Sequence, residues 1–490
     1  MQRDYQDEIA ELHAVFGVQK EAFTSAPYPG ADERQHNLRK LKIQLRRYQD
    51  ALAEAIDRDF SGRAHSETLM LDILPTTLEI NHCLLHLKRW MRSSRRATEL
   101  LFATNSLRVT YQPKGVVGII GTWNFPIYLS LGPLVTALAA GNRAMILMPR
   151  NMSASTAVLR HLLTEIFPEH LVAVIGGELK DRNIFTSLPF DHIVFTGSPD
   201  VGKVIMREAA RNLTPVTLEL GGKSPAVVLR DYSIADAAKR IAHGKGVNCG
   251  QICVSPDYAM VPRESVGAFI EAVKKSAIRL WGDRPQDNAE YTSVVNERQA
   301  GRIRSLLEDA GRKGATIVSC GGEGSGSRIP LHIVTDCTSE MAVMQEEIFG
   351  PILPVIPYDS EEEVVSYIQS QPRPLALYCF SHNADARQRL LRRTHSGGVT
   401  INDWGWHALN HAAPFGGVGN SGMGNYHGEE GFRELSHART VFKRHRFFPI
   451  DLFYPPYGNR VQRLALRLFI GKSDPNARLT CATSNGRIEA

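Results

Sequence analysis

A chain of 490 residues is too long to close over one hydrophobic core, so two or three domains are expected. Its 43% apolar and 22% charged residues are ordinary for a globular protein. Its net charge of +6, from 57 basic against 51 acidic side chains, gives no sign of a nucleic-acid binder. The seven cysteines (Cys83, Cys249, Cys253, Cys320, Cys337, Cys379 and Cys481) are odd in number and mostly scattered, which argues against a disulfide framework. With no secretory leader pattern and no run of about 18 apolar residues that could span a bilayer, a reduced, cytoplasmic enzyme is expected.

From Asp4 to about Ser93 apolar positions recur at three- and four-residue spacing, as in "LRKLKIQLRRYQDALAEAIDRDF" and "SETLMLDILPTTLEINHCLLHLKRWM", and predict helices. "SLRVTYQPKG" (Ser106–Gly115) reads as an extended ribbon closing in a turn. The rhythm then changes. Short apolar runs at Gly115–Gly121, Arg143–Met148, Leu171–Gly177 and His192–Ser198 alternate with helical segments, the pattern of a parallel sheet covered on both faces. Such a doubly wound sheet binds ligands where the strands' carboxyl ends meet the following helices. A second α/β stretch runs from about Gly222 to His395, followed by the glycine-rich "PFGGVGNSGMGNYHG". A short basic amphipathic helix pattern closes "YPPYGNRVQRLALRLFIGK", and the small, polar tail "SDPNARLTCATSNGRIEA" is expected to be mobile.

Several segments carry chemistry-bearing residues. "FTGSPDVGK" (Phe195–Lys203) follows an apolar strand, with Ser198 suited to an N-cap and Pro199 to the first helical position. It fits either a well-capped helix or a phosphate site, and it lacks the GxGxxG fingerprint. In "TLELGGKSP", Glu219 lies in an apolar run. Buried, it would have a raised pKa and suit a general base; on an alternating strand it would face water. Asn124 of "GTWNFPI" sits at the end of the first parallel strand, either as an amide donor for an oxyanion or in a turn. "VNCGQICVSPD" holds two cysteines four residues apart, open to reading as a metal clip, a disulfide, a redox pair or one nucleophile. Cys249, Cys253 and His243 lack a second pair of ligands at zinc spacing, so no metal is expected.

Taken in order, "WNFP", "FTGSPDVG", "LELGGKSP", "GQIC", "EEIFGP" and "PFGGVGNSG" resemble the aldehyde dehydrogenase superfamily from about Leu107 to Lys443. "TPVTLELGGKSP", "HLKRWM" and "YPPYG" resemble its class-3 branch and the coniferyl-aldehyde-dehydrogenase-like members. The resemblance implies an α/β fold with a cofactor domain at 1–93 and 117–219 and a catalytic domain at 220–396. It also implies a β bridging element at 94–116 and 397–445, a C-terminal extension at 446–490, and a homodimer. It implies Cys253 as nucleophile, Asn124 as oxyanion donor and Glu219 as the base that activates water. For an NAD or NADP cofactor it implies contacts from Thr122, Trp123, Met148, Arg150, Asn151, Gly197, Ser198, Val201, Gly202, Leu220, Glu347 and Phe349. The substrate implied is a hydrophobic aldehyde, aromatic or medium-chain, with Trp404 and Trp406 as candidates to line its funnel.

The thiol must be ionised to attack, so the site is expected to favour its thiolate. Cys249 is placed one helical turn from Cys253, a neighbour close enough to trap it as a disulfide on oxidation. One departure bears on the cofactor. Relatives usually carry Lys-Pro-Ser-Glu where this chain has "MPRN". Asn151 removes a carboxylate that would repel a 2′-phosphate and Arg150 adds a planar cation, so NADP is expected to serve at least as well as NAD. Pro199, where many relatives have Thr, lacks an N–H for the phosphate. The rival readings are a CoA-acylating relative, against which Glu219 argues, a cysteine hydrolase, for which no partner histidine stands out, and a non-catalytic member, against which the intact catalytic set argues.

Overall fold

The computed structural model describes residues 5–322, 324 and 326–473, so the tail beyond Ser473, with Cys481, lies outside the described residues. Within them the chain divides into two compact units, residues 5–92 with 111–439 and residues 93–110 with 440–473.

The N-terminal periodicity forms the helices Tyr5–Ser25, Ala31–Phe60, His65–Thr68 and Leu74–Trp90, the last two joined by the π-turn Leu69–Ile73. The four apolar runs form the strands Val116–Ile120, Arg143–Leu147, Val172–Ile175 and His192–Thr196. They and Val216–Glu219 are mutually parallel, in the spatial order Val216–Glu219, His192–Thr196, Val116–Ile120, Arg143–Leu147, Val172–Ile175. Gly422–Met423 adds a short antiparallel edge beside Val216–Glu219. The strand order reverses around Val116–Ile120, which makes its carboxyl end a switch point. Helix Tyr128–Ala140 is buried on every side, which explains why its sequence is apolar all round.

A seven-stranded sheet follows, in the order Thr316–Ser319, His332–Thr335, Ile352–Tyr358, Tyr258–Pro262, Pro225–Val228, Ala376–Phe380, Gly398–Ile401. All its neighbours are parallel except the first pair. Its core continues through Phe125, Tyr128, Cys249 and Tyr426, which packs the loop after Val116–Ile120 against the cysteine segment.

The bridging element expected at 397–445 is divided. Gly398–Ile401 finds its ladder partner in Ala376–Phe380, with Ala376 opposite Gly398, and so belongs to the seven-stranded sheet. Gly422 pairs with Glu219, and only the chain from Thr440 shares a unit with residues 93–110. In that unit Ser94–Arg96 pairs antiparallel with Ser106–Pro113, the middle strand of a three-stranded sheet that Ser436–Lys443 completes. Helix Arg460–Phe469 is closed at its start by a capping box between Asn459 and Gln462.

Gly301 lies inside helix Glu297–Arg312 with open space where a Cβ would stand. Gly301→Ala therefore raises stability by about 0.5–1 kcal/mol, read as a higher thermal unfolding midpoint; a lower midpoint would contradict the assigned helix.

Candidate active site

Strand Val116–Ile120 delivers its carboxyl end to the loop Gly121–Ile127, whose backbone has no ladder of its own and is held by buried side chains. Arg63 donates to the Asn124 carbonyl at 2.6 Å and pairs with Asp72 at 2.9 Å, both side chains wholly buried. Asp72 also accepts from the Ile127 and Tyr128 amides at 3.0 and 2.9 Å. The Arg63 guanidinium lies 5.0 Å from the Phe60 ring and 5.1 Å from Phe125. Glu67 does for the cysteine segment what Asp72 does for this loop, accepting from the Asn248 amide at 3.1 Å and from the Thr292 hydroxyl. Sequence reasoning took this stretch as packing helix and missed all three residues. The available signal was Asp72, an acid inside the apolar "LMLDIL".

The helix Ile234–Gly246 runs into a left-handed turn, with φ of 49° at Asn248, 52° at Cys249 and 70° at Gly250. A Cβ at Gly250 would lie 2.5 Å from the Gly350 carbonyl oxygen, so glycine alone lets "GQIC" and "EEIFGP" meet. The left-handed conformation costs each non-glycine residue about 1–2 kcal/mol. Hydrogen bonds offset it: the Asn248 amide donates to the Asn124 and Gln251 carbonyls, and the Gln251 amide to those of Asn248 and Ser293. The expectation that Cys249 sits one helical turn from Cys253 is therefore overturned. Its thiol is fully buried, donating toward the Tyr291 hydroxyl at 3.5 Å and the Ile329 carbonyl at 3.7 Å. Cys253 is half-buried. Asn124, 1% exposed, donates one amide N–H to the Gln251 carbonyl at 3.1 Å and keeps a second.

Glu219 ends its strand 3% exposed, with neither carboxylate oxygen hydrogen-bonded, so burial pushes its pKa well above the usual range. The glycine-rich loop holds this strand by main chain. The Leu220 amide donates to the Ser421 carbonyl at 3.0 Å, and a Cβ on Gly422 would lie 2.2 Å from the Leu218 oxygen. Glu347 fits against Gly221, where a Cβ would come within 1.8 Å of its carboxylate; burial and the charge of Asp257 push it up to about 8. Burial, then the charges of Glu347 and Glu219, push the Cys253 thiol up to about 12. The protein's own groups thus favour the neutral thiol, contrary to the expected thiolate. Lys245, a buried ammonium without a hydrogen-bond partner, is pushed down to about 8 by burial.

The other sequence candidates fall as follows. Thr122 and Trp123 are half-buried, and the Trp123 ring meets Phe349 edge-on at 5.3 Å. Phe349 has φ of 48°, another strained residue beside the cysteine segment. Ser198 caps helix Pro199–Ala210, its side chain accepting from the Val201 amide at 3.5 Å, and Ser198 and Val201 are exposed. At Gly202 a Cβ would press on Leu220 at 2.9 Å, and at Gly197 on the Phe195 ring at 2.4 Å. Met148 is buried, its sulfur accepting from the Ser130 hydroxyl at 3.2 Å, while Arg150 and Asn151 are exposed. Trp404 packs on the core and donates to His243 at 3.0 Å, whereas Trp406 is exposed. Among the described residues, the side chains close enough to share an ion are Glu79, His411 and His427. Glu79 pairs with His411 at 2.5 Å, and His427 with the Tyr128 hydroxyl at 2.8 Å.

Loops of the two sheets thus bring Cys253 within electrostatic reach of Glu219, with Asn124 bonded to the Gln251 carbonyl two residues before the cysteine. Residues 6–441 match the aldehyde dehydrogenase family, and the chain belongs to it. It is an enzyme of aldehyde oxidation, as the motifs implied. It is 49% identical to a probable coniferyl aldehyde dehydrogenase of Pseudomonas aeruginosa over 95% of this chain and 98% of that one. Its fold is similar to the substrate-bound state of Staphylococcus aureus AldH, with a TM-score of 0.88, 34% identity, and coverage of 93% and 99%. It is also similar to an NAD+ complex of a Bacillus cereus aldehyde dehydrogenase, with a TM-score of 0.79, 26% identity, and 89% of each chain covered.

Two outcomes follow. Arg63→Met leaves Asp72 buried without its charge partner and costs about 3–5 kcal/mol, read as a lowered unfolding midpoint; an unchanged midpoint would show that the pair holds nothing. The rate of Cys253 alkylation by iodoacetamide climbs with pH beyond about 8.5, because a raised pKa leaves little thiolate at neutrality. A plateau below that pH would contradict the burial argument.

Proposed function

We propose that this enzyme oxidises a hydrophobic aldehyde to its carboxylic acid through Cys253, with NAD or NADP as cofactor. The observation that carries the reading is Glu219, a carboxylate fully buried beside the cysteine with no hydrogen bond to either oxygen. A buried acid without a partner is costly unless its raised pKa has a use, and accepting a proton from water is such a use.

The Cys253 sulfur attacks the carbonyl carbon as the thiol proton passes to water in the site. Asn124 donates its spare amide N–H to the developing oxyanion, held rigid by Arg63 on its carbonyl and Gln251 beside its amide. Bound NAD or NADP supplies the hydride acceptor that lets the adduct become a thioester. Glu219 takes a proton from water, which attacks the thioester carbon and frees the acid and the thiol. An internal base of this kind favours water over CoA as acceptor.

The residues present fit a nicotinamide dinucleotide. The start of helix Pro199–Ala210 offers N–H groups beside exposed Ser198 and Val201, and Gly202 lets that helix close on Leu220. Thr122, Trp123, Glu347 and Phe349 border the nicotinamide end, and Met148, Arg150 and Asn151 the adenosine end. Arg150 and Asn151 support acceptance of NADP. The likeness to coniferyl aldehyde dehydrogenases supports an aryl-propenal substrate, and the family's habit a cytoplasmic homodimer.

Assays with coniferaldehyde, benzaldehyde, hexanal and acetaldehyde, with either cofactor and without CoA, test this. Cys253→Ala abolishes NAD(P)H formation. Glu219→Gln keeps a burst of about one equivalent while turnover falls roughly 10²–10⁴-fold. A Glu219→Gln enzyme that turns over normally removes Glu219 from the reaction.

A further inference from the structure

Three buried side chains with no part in the reaction above gather at the end of the glycine-rich loop. Glu79 comes from helix Leu74–Trp90, His411 from the chain just before that loop, and His427 from the residue that opens helix Gly428–Glu434. They are 0%, 5% and 1% exposed, and one ligand-type atom of each lies within 4.8 Å of the other two. No ligand spacing announces them, since Glu79 is far in sequence from both histidines. The Gly428 amide donates to Glu79 at 3.2 Å, and a Cβ on Gly428 would lie 2.3 Å from the His411 carbonyl oxygen, so this glycine lets the three segments close. His427 holds a φ of 93°, a strained value for a residue with a side chain.

Hydrogen bonds leave much of the cluster unsatisfied. His427 meets the Tyr128 hydroxyl through Nε2 at 2.8 Å, and its Nδ1 has no partner. Neither nitrogen of His411 is hydrogen-bonded; its Nδ1 stands 2.5 Å from the Glu79 Oε2 but out of line for such a bond. Buried polar atoms left this way are costly, and an ion shared between them removes the cost for all three residues together. Two imidazoles and one carboxylate are the donor set of a divalent transition cation, whereas Mg2+ and Ca2+ require mostly oxygen. A route inward is also present. His82 and His86 follow Glu79 at i+3 and i+7 on one face of its helix, both half-buried, with their rings 4.5 Å apart. The His82 Nε2 lies 3.3 Å from the same Gly428 Cβ position, so the row of histidines leads from the surface to the cluster.

We propose that Glu79, His411 and His427 form a binding site for a divalent transition cation of the Zn2+ type. Ligand atoms around a tetrahedral ion stand about 3.3 Å apart, so Glu79 and His411 part by roughly an ångström as it enters. The bound ion clamps the glycine-rich loop, and with it the Gly422–Met423 edge beside Glu219, to the N-terminal helix.

Cobalt is the probe, because its visible absorption reports its ligands. Co2+ is titrated into full-length Cys253→Ala enzyme, which lacks the half-buried thiol that would compete for it. The expected result is saturation at about one ion per chain, with intense ligand-field bands and no thiolate-to-cobalt charge-transfer band. Zn2+ displaces the cobalt and excess Mg2+ does not. His411→Gln and His427→Gln each weaken binding at least about 100-fold, since a lost ligand costs no less than a lost supporting contact. Zn2+ also raises the thermal unfolding midpoint of the parent and leaves that of both variants unchanged. Absence of bound cobalt, a thiolate charge-transfer band, or unchanged affinity in either histidine variant overturns the site. Where a variant fails to fold, the titration of the Cys253→Ala enzyme decides alone. Each of these outcomes leaves the oxidation reading standing.

Discussion

The Arg63–Asp72 pair, wholly buried and bonded to the backbone of the loop after the first parallel strand, is the constraint on which the site depends. Loops at the end of a sheet have no ladder to fix them, so a site built from several loops needs a rigid reference. Here that reference is a short stretch of N-terminal chain. Arg63 and Asp72 hold Asn124, Glu67 holds the backbone of Asn248, and the Asn124 carbonyl is shared by both sets. Asn124 and the cysteine segment are thus positioned from one stretch of chain, distant from both in sequence. An ion pair without solvent adds little net stability, but its loss strands a charge, so its main contribution is to geometry.

The electrostatics of the cysteine and the two glutamates form one system. Burial raises Glu219, Glu347 and Cys253 together, and each carboxylate's negative charge disfavours the thiolate. A site whose groups hold one another neutral ionises more readily only when a positive charge enters it. The neutral thiol is also the less oxidisable form, which suits a cysteine half-open to solvent.

Much of this was legible in the chain. Four apolar runs of six or seven residues between helical segments specify a parallel sheet because both faces are covered, and the strands at Val116, Arg143, Val172 and His192 begin within one residue of where the runs do. Ser198 and Pro199 predict a helix start because capping is local chemistry. The left-handed turn at Asn248–Gly250 was not legible. A cysteine and an asparagine there read as helix, and only the packing of Gly250 on Gly350 and the bonds from Glu67 and Gln251 force the other conformation. Arg63, Glu67 and Asp72 were missed for the same reason, since beyond the Arg63–Asp72 pair itself their partners lie 55 to 225 residues away. The bridging segment was drawn too wide because a glycine-rich composition does not reveal which sheet a strand will join.

The glycine-rich loop that grips the Glu219 strand does so by backbone alone, with Ser421 on Leu220 and Gly422 opposite Glu219. A contact made by main chain carries no side-chain vocabulary, so the placement of Glu219 is written in chain length, not in residue chemistry. Exchanging exposed side chains around it leaves Glu219 where it is. Adding or deleting one residue between Gly417 and Gly422 would shift Gly422–Met423 against the strand and loosen that grip, while the ladder to His192–Thr196 still sets which face Glu219 occupies.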